Sequence, residues 1–311
     1  MLWRLLPALT VLFTVAAAAA APATLLADHP LNGTLWDTRS GRQVGEAQML
    51  AEAAAARWVL LGEKHDNAIH HRLQARVVEA LGSAGRRAAV VWEMVEPEQA
   101  AALERATAGG AGDLGTALSW EARGWPAWAE YQPIAEAALR HDMAMRAGKP
   151  SRGLVRSLSG GEPLAAELAE RLAWDRPYPA GIEADLLAEL KDSHCGTLPE
   201  RALAGMLRVQ RLWDAWMADS LLAAAQAGGD GAVLIAGSGH VREDRAVPWQ
   251  LRTRGTGESF TMALVEVMAD RDVAADYDAF DPALFDFVWF TPRVDDKDPC
   301  AALRESAAEP D

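Results

Sequence analysis

Short apolar runs separated by long stretches of helical periodicity extend along most of the chain. These runs, rich in β-branched and aromatic residues, cover residues 58–61, 88–92, 232–236, 260–267 and 285–290. Behind the first run, apolar residues recur every fourth position from Ile69 to Leu81 and stop at Gly82, and Asp66 or Asn67 can cap the helix that this spacing predicts. The alternation of strands and helices predicts an α/β domain with a largely parallel sheet.

A long region with a mostly helical pattern separates the second strand from the third. It runs from Glu96 to about Gly229 and is interrupted by glycine- and proline-rich breaks. So much helix between two strands of one sheet predicts an inserted helical lobe, over about residues 160–225, within a single domain of residues 21–311. Nothing repeats at a fixed period, which excludes a solenoid or a propeller.

The first twenty residues have the pattern of a secretory signal. Arg4 is the only charged residue before Asp28, and it precedes an apolar run, Leu5 to Val15, and an alanine block that ends at Ala21. This order predicts a cleaved signal peptide at residues 1–20 and a periplasmic protein. An uncleaved membrane anchor is the alternative, for which the apolar stretch is short.

The net charge bears on possible partners of the chain, and the two cysteines bear on a possible disulfide. The chain has 30 Lys+Arg against 44 Asp+Glu, a formal net charge of −14, which argues against nucleic acid as a partner because such binding needs a cationic surface to displace phosphate counterions. In an oxidising compartment, Cys195 and Cys300 are the only cysteines that can pair, so we expect a disulfide. Two buried thiols, or a ligand role for Cys195 beside His194, are the alternatives.

Polar residues follow three of the predicted strands directly. The sequence Gly-Glu-Lys-His, residues 62–65, follows the first strand, Glu93 follows the second, and Gly-Ser-Gly-His, residues 237–240, follows the third. In an open parallel sheet, ligands bind outside the carboxyl ends of the strands. The sequence therefore predicts a site formed by Glu63, His65, Glu93 and His240, suited to general acid–base catalysis or to a divalent metal such as Zn, Mn, Fe or Co. Rim residues that only stabilise loops are the alternative.

Three further residues are candidates for the surroundings of this site. His70 and His71 lie beside the apolar stripe of the first helix, where they can face either the site or solvent. Arg242 follows His240 by two residues and can bind a carboxylate, either of a substrate or of Glu63 or Glu93.

Two polar residues interrupt the apolar face of the long helix that follows Pro199. Gln210 and Asp214 fall on the same stripe as Leu203, Leu207 and Leu221. Buried polar groups require partners, so we expect them to bond either the catalytic rim or a neighbouring loop.

Several segments resemble the ChaN-like haem-binding uptake proteins. They are Leu60–Gln74, Val90–Met94, Ser193–Glu200, Gln210–Ala218, Ile235–Leu251 and, near the carboxyl end, 289–293 and 298–300. This family shares its paired Gly-x-x-His motifs with the erythromycin esterases and the TIKI and TraB proteins. The resemblance implies a three-layer α/β/α domain with a smaller helical lobe, located in the cell envelope.

The same resemblance implies haem binding, with envelope uptake components as partners and a homodimer that shares the cofactor. The expected axial ligand is a tyrosinate assisted by histidine. Tyr178, between two prolines, looks exposed, and Tyr131 belongs to an aromatic stretch that forms either a porphyrin wall or ordinary core. The candidate haem contacts are Tyr178, Tyr131, His70, His71, His194 and Arg242.

A hydrolase is the alternative function. In the esterase and TIKI branches the corresponding residues serve hydrolysis, so the resemblance leaves the reaction open. One Glu or His would activate water, with or without a metal, and Arg242 would hold an anionic group. No Gly-x-Ser-x-Gly elbow occurs, which excludes a serine hydrolase of that type.

Overall fold

The computed structural model describes residues 24–106, 110–227, 229–298 and 300–301. The predicted signal peptide, residues 1–20, lies outside the described residues.

An eight-stranded sheet forms the centre of the described chain. Its strands are β1 (Leu35–Asp37), β2 (Arg42–Val44), β3 (Trp58–Glu63), β4 (Ala89–Trp92), β5 (Met145–Ala147), β6 (Ala232–Gly237), β7 (Ser259–Glu266) and β8 (Phe287–Thr291). The strand order is β2-β1-β8-β7-β3-β6-β4-β5. The six strands from β8 to β5 pair in parallel, and β1 and β2 add antiparallel at one edge. The predicted, largely parallel sheet is confirmed.

Strand β6 lies between β3 and β4 in the sheet, although β3 and β4 are consecutive strands along the chain. Trp58 pairs with Ala232 and Glu63 pairs with Gly237, so β3 and β6 run in register to their carboxyl ends. All six residues of β3 are buried, as expected of a strand covered on both faces.

Helices cover both faces of the sheet. They are α1 (Glu46–Ala55), α2 (Ala68–Ser83), α3 (Ala100–Arg105), α4 (Ala111–Ala117), α5 (Trp128–Arg140), α6 (Arg152–Ser159), α7 (Ala166–Arg171), α8 (Ala180–Ser193), α9 (Glu200–Gln226) and α10 (Ala246–Thr253). On one face, Val77 of α2 and Ile134 of α5 share a core with Val59. On the other, Leu221 of α9 and Leu251 of α10 pack with the opposite side of the sheet. This arrangement is the three-layer α/β/α domain that the family resemblance implies.

The first of these helices begins where the sequence indicates. The side chain of Asn67 accepts a hydrogen bond from the backbone N–H of Ile69 at 2.9 Å, so Asn67 is the N-cap of α2. The capped helix follows β3 after a short turn, and this turn carries Lys64, His65 and Asp66.

Four helices, α6 to α9, connect β5 to β6. They enclose a small hydrophobic cluster of their own, which includes Leu158, Leu172 and Leu212. Cys195, just after α8, forms a disulfide with Cys300, and the expected pairing is confirmed. Among the described residues, no helix is both long and apolar enough to cross a membrane.

Candidate functional site

Three neighbouring strands end at one edge of the sheet and bring the predicted rim residues together. Glu63 is the last residue of β3, Glu93 directly follows β4, and His240 lies in a 3-10 turn, Ser238–Val241, that follows β6. Because β6 lies between the other two strands, the two Gly-x-x-His segments and Glu93 meet at the same place.

Glu63 is buried and binds three side chains. Its Oε1 accepts hydrogen bonds from His65 Nδ1 at 2.7 Å and from the Tyr131 hydroxyl at 2.6 Å, and its Oε2 lies 3.6 Å from His71 Nε2. Burial alone would raise the pKa of Glu63, but the charges and hydrogen bonds of His71 and His65 hold this pKa well below its usual range. Glu63 is therefore an anchored carboxylate.

His65 connects this carboxylate to the open edge of the site. Its side chain is 33% exposed, its Nε2 lies 3.7 Å from Glu93 Oε2, and the ring of Trp125 packs edge-on at 5.1 Å. Burial lowers the pKa of His65, but the hydrogen bond to Glu63 and the charge of Glu93 outweigh this effect and raise the pKa to about 9. His65 is therefore cationic at neutral pH.

Glu93 occupies the centre of the site. Its Oε2 accepts the backbone N–H of Gly237 at 2.7 Å, and its Oε1 lies 3.6 Å from His240 Nε2. Glu93 Oε2 thus lies within 4 Å of the His65 imidazole, and Glu93 Oε1 lies within 4 Å of the His240 imidazole.

His240 has a supporting set of groups that parallels that of His65. Its Nδ1 donates to Asp214 Oδ1 at 2.6 Å and lies 3.2 Å from Gln210 Nε2, and Asp214 Oδ2 accepts the Tyr178 hydroxyl at 2.9 Å. Burial lowers the pKa of His240, but the charges of Glu93 and Asp214 raise it above its usual value. The expectation that Gln210 and Asp214 bond the rim agrees with these contacts.

These contacts form one continuous series of side chains, here named the acid–base chain. In spatial order it consists of Tyr131, Glu63, His65, Glu93, His240, Asp214 and Tyr178. Glu93 is central, and each side continues through an imidazole and a carboxylate to a tyrosine hydroxyl. Such an arrangement fixes the orientation of both imidazoles and places their Nε2 atoms towards the same carboxylate.

The first glycine of each motif lies where the two motifs approach each other closely. A Cβ atom at Gly62 would lie 2.6 Å from Val241 Cγ2 and 2.9 Å from the Cα atom of Ser238. At Gly237 it would lie 3.1 Å from His65 Nε2. The strand-end glycines therefore let the two motifs pack directly against each other.

The two histidines of α2 are both buried, so the solvent-facing alternative is wrong. His70 Nδ1 accepts the backbone N–H of Lys64 at 2.9 Å, and its Nε2 donates to Thr291 Oγ1 at 2.8 Å. Burial lowers the pKa of His70 to about 3, so the imidazole is neutral. Its hydrogen bond to Lys64 holds the turn after β3 in place. His71 stacks on Tyr131 with ring centroids 3.6 Å apart and faces Glu63.

Both candidate tyrosines lie inside the protein. The exposure predicted for Tyr178 is wrong, since the ring is 3% exposed, packs edge-on against Trp249 at 4.8 Å and bonds Asp214. Tyr131 is fully buried and belongs to the aromatic core, where Trp120 lies 4.9 Å away. Their hydroxyl groups serve the acid–base chain.

Arg242 and His194 lie outside the acid–base chain. The expected pairing of Arg242 with Glu63 or Glu93 is wrong, because its guanidinium binds Asp244, two residues further on, at 2.7 Å. His194 follows α8, and its Nδ1 donates to the carbonyl oxygen of Leu190 at 2.8 Å.

The expected divalent metal site is not supported by the arrangement of the described side chains. Within these residues, no group of three or more His, Cys, Asp or Glu side chains is placed to hold a metal ion. The Nε2 atoms of the two rim histidines instead face the carboxylate oxygens of Glu93, at 3.7 and 3.6 Å, and Glu63 Oε1 already accepts two hydrogen bonds. The side-chain atoms that could bind a metal therefore pair with one another.

Three further residues line the edge of the site. The ammonium of Lys149 lies 4.8 Å from the ring centroid of Trp125 and 4.8 Å from that of Trp213. Trp125 packs on His65, and Trp213 packs on His240 at 5.8 Å. Lys149 follows β5 by two residues, so it also lies near the carboxyl end of a strand. The sequence does not predict this position, because the three-residue β5 has no apolar run.

Comparison with known proteins agrees with this architecture. The fold is similar to a solved structure described as "Cofacial heme binding to ChaN of Campylobacter jejuni", with TM-score 0.64 and 21% identity over 82% of this chain and 95% of that one. A weaker similarity, with TM-score 0.42 and 13% identity, covers 78% of this chain and 91% of the type III effector HopBA1. No curated protein matches. The family described as "Haem-binding uptake, Tiki superfamily, ChaN" matches residues 49–251, more than half of the 311 residues. The chain therefore belongs to this ChaN family of the Tiki superfamily.

Proposed function

We propose that this protein binds haem in the periplasm and acts in haem or iron uptake with other envelope components. Family membership and the fold shared with the Campylobacter jejuni haem-binding protein support the proposal. The signal-like pattern of residues 1–20 supports the location. A homodimer that shares haem between two copies belongs to the same proposal.

The tyrosines of this chain do not fit the ligand role that the family resemblance implies. All three tyrosines, Tyr131, Tyr178 and Tyr277, are at most 5% exposed, and each hydroxyl donates to a group inside the protein. Burial and nearby carboxylates raise the pKa of Tyr131 and of Tyr178 above the usual value, which disfavours the tyrosinate form. Within this fold, the hydroxyl oxygens of Tyr131 and Tyr178 are covered and already committed to carboxylates.

His65 fits a haem ligand better, and its hydrogen bond to Glu63 is the observation that carries the proposal. A ligating histidine commonly donates its second ring N–H to a carboxylate, which fixes the ring and makes the free nitrogen more basic. His65 has this arrangement: Nδ1 donates to buried Glu63 at 2.7 Å, and the imidazole is partly exposed beside Trp125. His65 would therefore hold the iron through Nε2, and the bound haem would supply a redox-active centre.

A proton must leave Nε2 of His65 before that nitrogen can act as a ligand, because the residue is cationic at neutral pH. Glu93 Oε2, 3.7 Å away, is placed to receive it. Glu93 thus offers an acceptor for the proton that the ligand gives up.

Titration of residues 21–311 with hemin, followed by absorption, tests the proposal. We expect a saturable Soret shift for the wild type and at least about a tenfold loss of affinity, with a changed spectrum, for His65→Ala. His194→Ala is the matched control, since this histidine is partly exposed but lies outside the acid–base chain. A non-saturating wild-type response would contradict haem binding, and an unchanged His65→Ala spectrum would contradict the ligand assignment.

Hydrolysis is a second candidate function, favoured by the arrangement around Glu93. A carboxylate between two imidazoles can accept a proton from water, and an imidazolium on either side can protonate a leaving group. Under this hypothesis Glu93→Gln and His240→Ala abolish turnover of a substrate found by screening, in variants that still unfold cooperatively on heating. Full activity in both variants would refute it, and His194→Ala again serves as the control.

A further inference from the structure

Lys149 lies at the site because the backbone around it packs closely against the backbone that follows β4. It follows Gly148, whose N–H donates to the carbonyl oxygen of Trp92 at 2.8 Å, and its own N–H donates to Val95 at 3.0 Å. A Cβ atom at Gly148 would lie 2.7 Å from that Trp92 oxygen, so only glycine lets the chain pass here. These contacts hold the Lys149 backbone against the end of β4, directly beside Glu93.

The ammonium group lies between two indole rings that each contact one of the rim imidazoles. Trp125 and Trp213 are both 4.8 Å from Nζ, and they pack against His65 and His240 respectively. Cation–π contacts of this kind hold a lysine in place without neutralising its charge. Lys149 is therefore a positioned cation at the open edge of the acid–base chain.

No carboxylate of the described chain neutralises this cation directly. Within the described ranges no Asp or Glu oxygen lies within 4.0 Å of Nζ. Glu93 and Glu96 are the carboxylates close enough to influence Lys149. Both already face other cationic groups: Glu93 lies 3.7 Å from His65 and 3.6 Å from His240, and Glu96 is bound by Arg123 at 2.7 Å and by Arg152 at 3.1 Å. The lysine, half-buried and flanked by two further cations, forms a local positive region on a chain of net charge −14.

We propose that Lys149, with Trp125 and Trp213, binds a carboxylate carried by a flat, apolar ligand. The ammonium supplies the charge-assisted hydrogen bond, and the two indoles supply apolar walls on either side. The proposal deepens the haem-binding function on which it rests, because haem is a flat apolar ring that carries two propionates. Another aromatic acid would present the same chemistry. This assigns to Lys149 the anion-binding role that the sequence had suggested for Arg242.

Metal-free protoporphyrin IX tests this role separately from the iron ligand. Fluorescence titration compares the diacid with its dimethyl ester, which keeps the ring and removes the charge. We expect Lys149→Met to weaken binding of the diacid by about tenfold, in line with a lost charge-assisted hydrogen bond, and to leave the ester unaffected. Lys149→Arg should retain most of the preference for the diacid. Arg242→Met is the control, since that cation is paired with Asp244.

The outcomes separate the subsite from the proposed function. Equal loss of diacid and ester, or no loss of either, in Lys149→Met would overturn the subsite even if hemin binds the wild type. If the wild type binds neither hemin nor protoporphyrin, haem binding itself fails. In that case, and also if hemin alone binds, ligand-observed NMR with 2-naphthoate and 2-naphthamide decides the subsite. Binding of the naphthoate alone, abolished in Lys149→Met, would support a different aromatic acid as ligand. Absence of that difference would overturn the subsite as well.

Discussion

Replacing the motif glycines with alanine should separate the packing of the two Gly-x-x-His segments from their chemistry. At Gly62 the added Cβ would lie 2.6 Å from Val241 Cγ2 and 2.9 Å from Ser238 Cα. Carbon atoms in contact prefer about 3.5–4.0 Å, so the 3-10 turn would have to move by about 1 Å. Overpacking of a core costs about 1–3 kcal/mol. For a domain of this size, that cost corresponds to a melting temperature lower by about 2–10 °C.

The other two glycines provide a graded comparison. At Gly237 the new Cβ would lie 3.1 Å from His65 Nε2 and 3.7 Å from Glu93 Oε2, so a small shift of the imidazole relieves the contact. We expect Gly237→Ala to melt within about 3 °C of the wild type, given a cost below about 1 kcal/mol, but to bind hemin more weakly. At Gly239 a Cβ would meet nothing within 4 Å, so Gly239→Ala should match the wild type in both assays.

Calorimetric melting of the three variants, with hemin titration of each, checks this reasoning. A Gly62→Ala protein as stable as the wild type would refute the close-packing argument. A Gly239→Ala protein as unstable as Gly62→Ala would show that loss of glycine flexibility, and not contact with the second motif, causes the change.

Three further predictions follow from single contacts. His70 stays neutral in the folded protein to about pH 3 but takes up a proton near pH 6.5 when unfolded, so the unfolding free energy should fall as pH drops through this window, by up to about 1.4 kcal/mol per unit. Denaturant titrations of His70→Gln should show a smaller fall. The Cys195–Cys300 disulfide closes a loop with a sequence separation of 105, so reduction should cost about 2–5 kcal/mol, whereas the double serine variant should be insensitive to reductant. Tyr178→Phe should leave the Soret maximum of the haem complex unchanged, because the hydroxyl is buried on Asp214, and a shifted maximum would contradict the burial argument.

The centre of the site could be predicted from the sequence because it depends on strands with clear apolar runs. β3 and β6 are continuous apolar runs, and a charged or polar residue follows each of them at once. Parallel strands bring their carboxyl ends to one edge, which places Glu63 and His240 in the same region without any knowledge of strand order. The N-cap of α2 at Asn67 could also be predicted, because capping depends only on neighbouring residues along the chain.

The surroundings of the site depend on tertiary contacts that no local pattern records. Pro-Tyr-Pro is typical of an exposed turn, yet Tyr178 is buried because α9 presents Asp214 to it. The guanidinium of Arg242 turned to the nearer carboxylate, Asp244, rather than to the rim. β5 forms as a three-residue strand only because β4 is there to pair with it, and so Lys149 at its end was missed.

The insertion of β6 between β3 and β4 also constrains the order in which the molecule can form. The pairing of Trp58 with Ala232 joins residues far apart along the chain, and the rim groups of β3 and β4 meet only across the strand that separates them. While the polypeptide is being made, the first half can assemble its helices but leaves a gap in the sheet, with the unpaired edges of two strands on either side. Such long-range closure is slow and exposes aggregation-prone edges in the meantime. The site is therefore a late product of folding, completed by a strand that arrives after more than two hundred residues have preceded it.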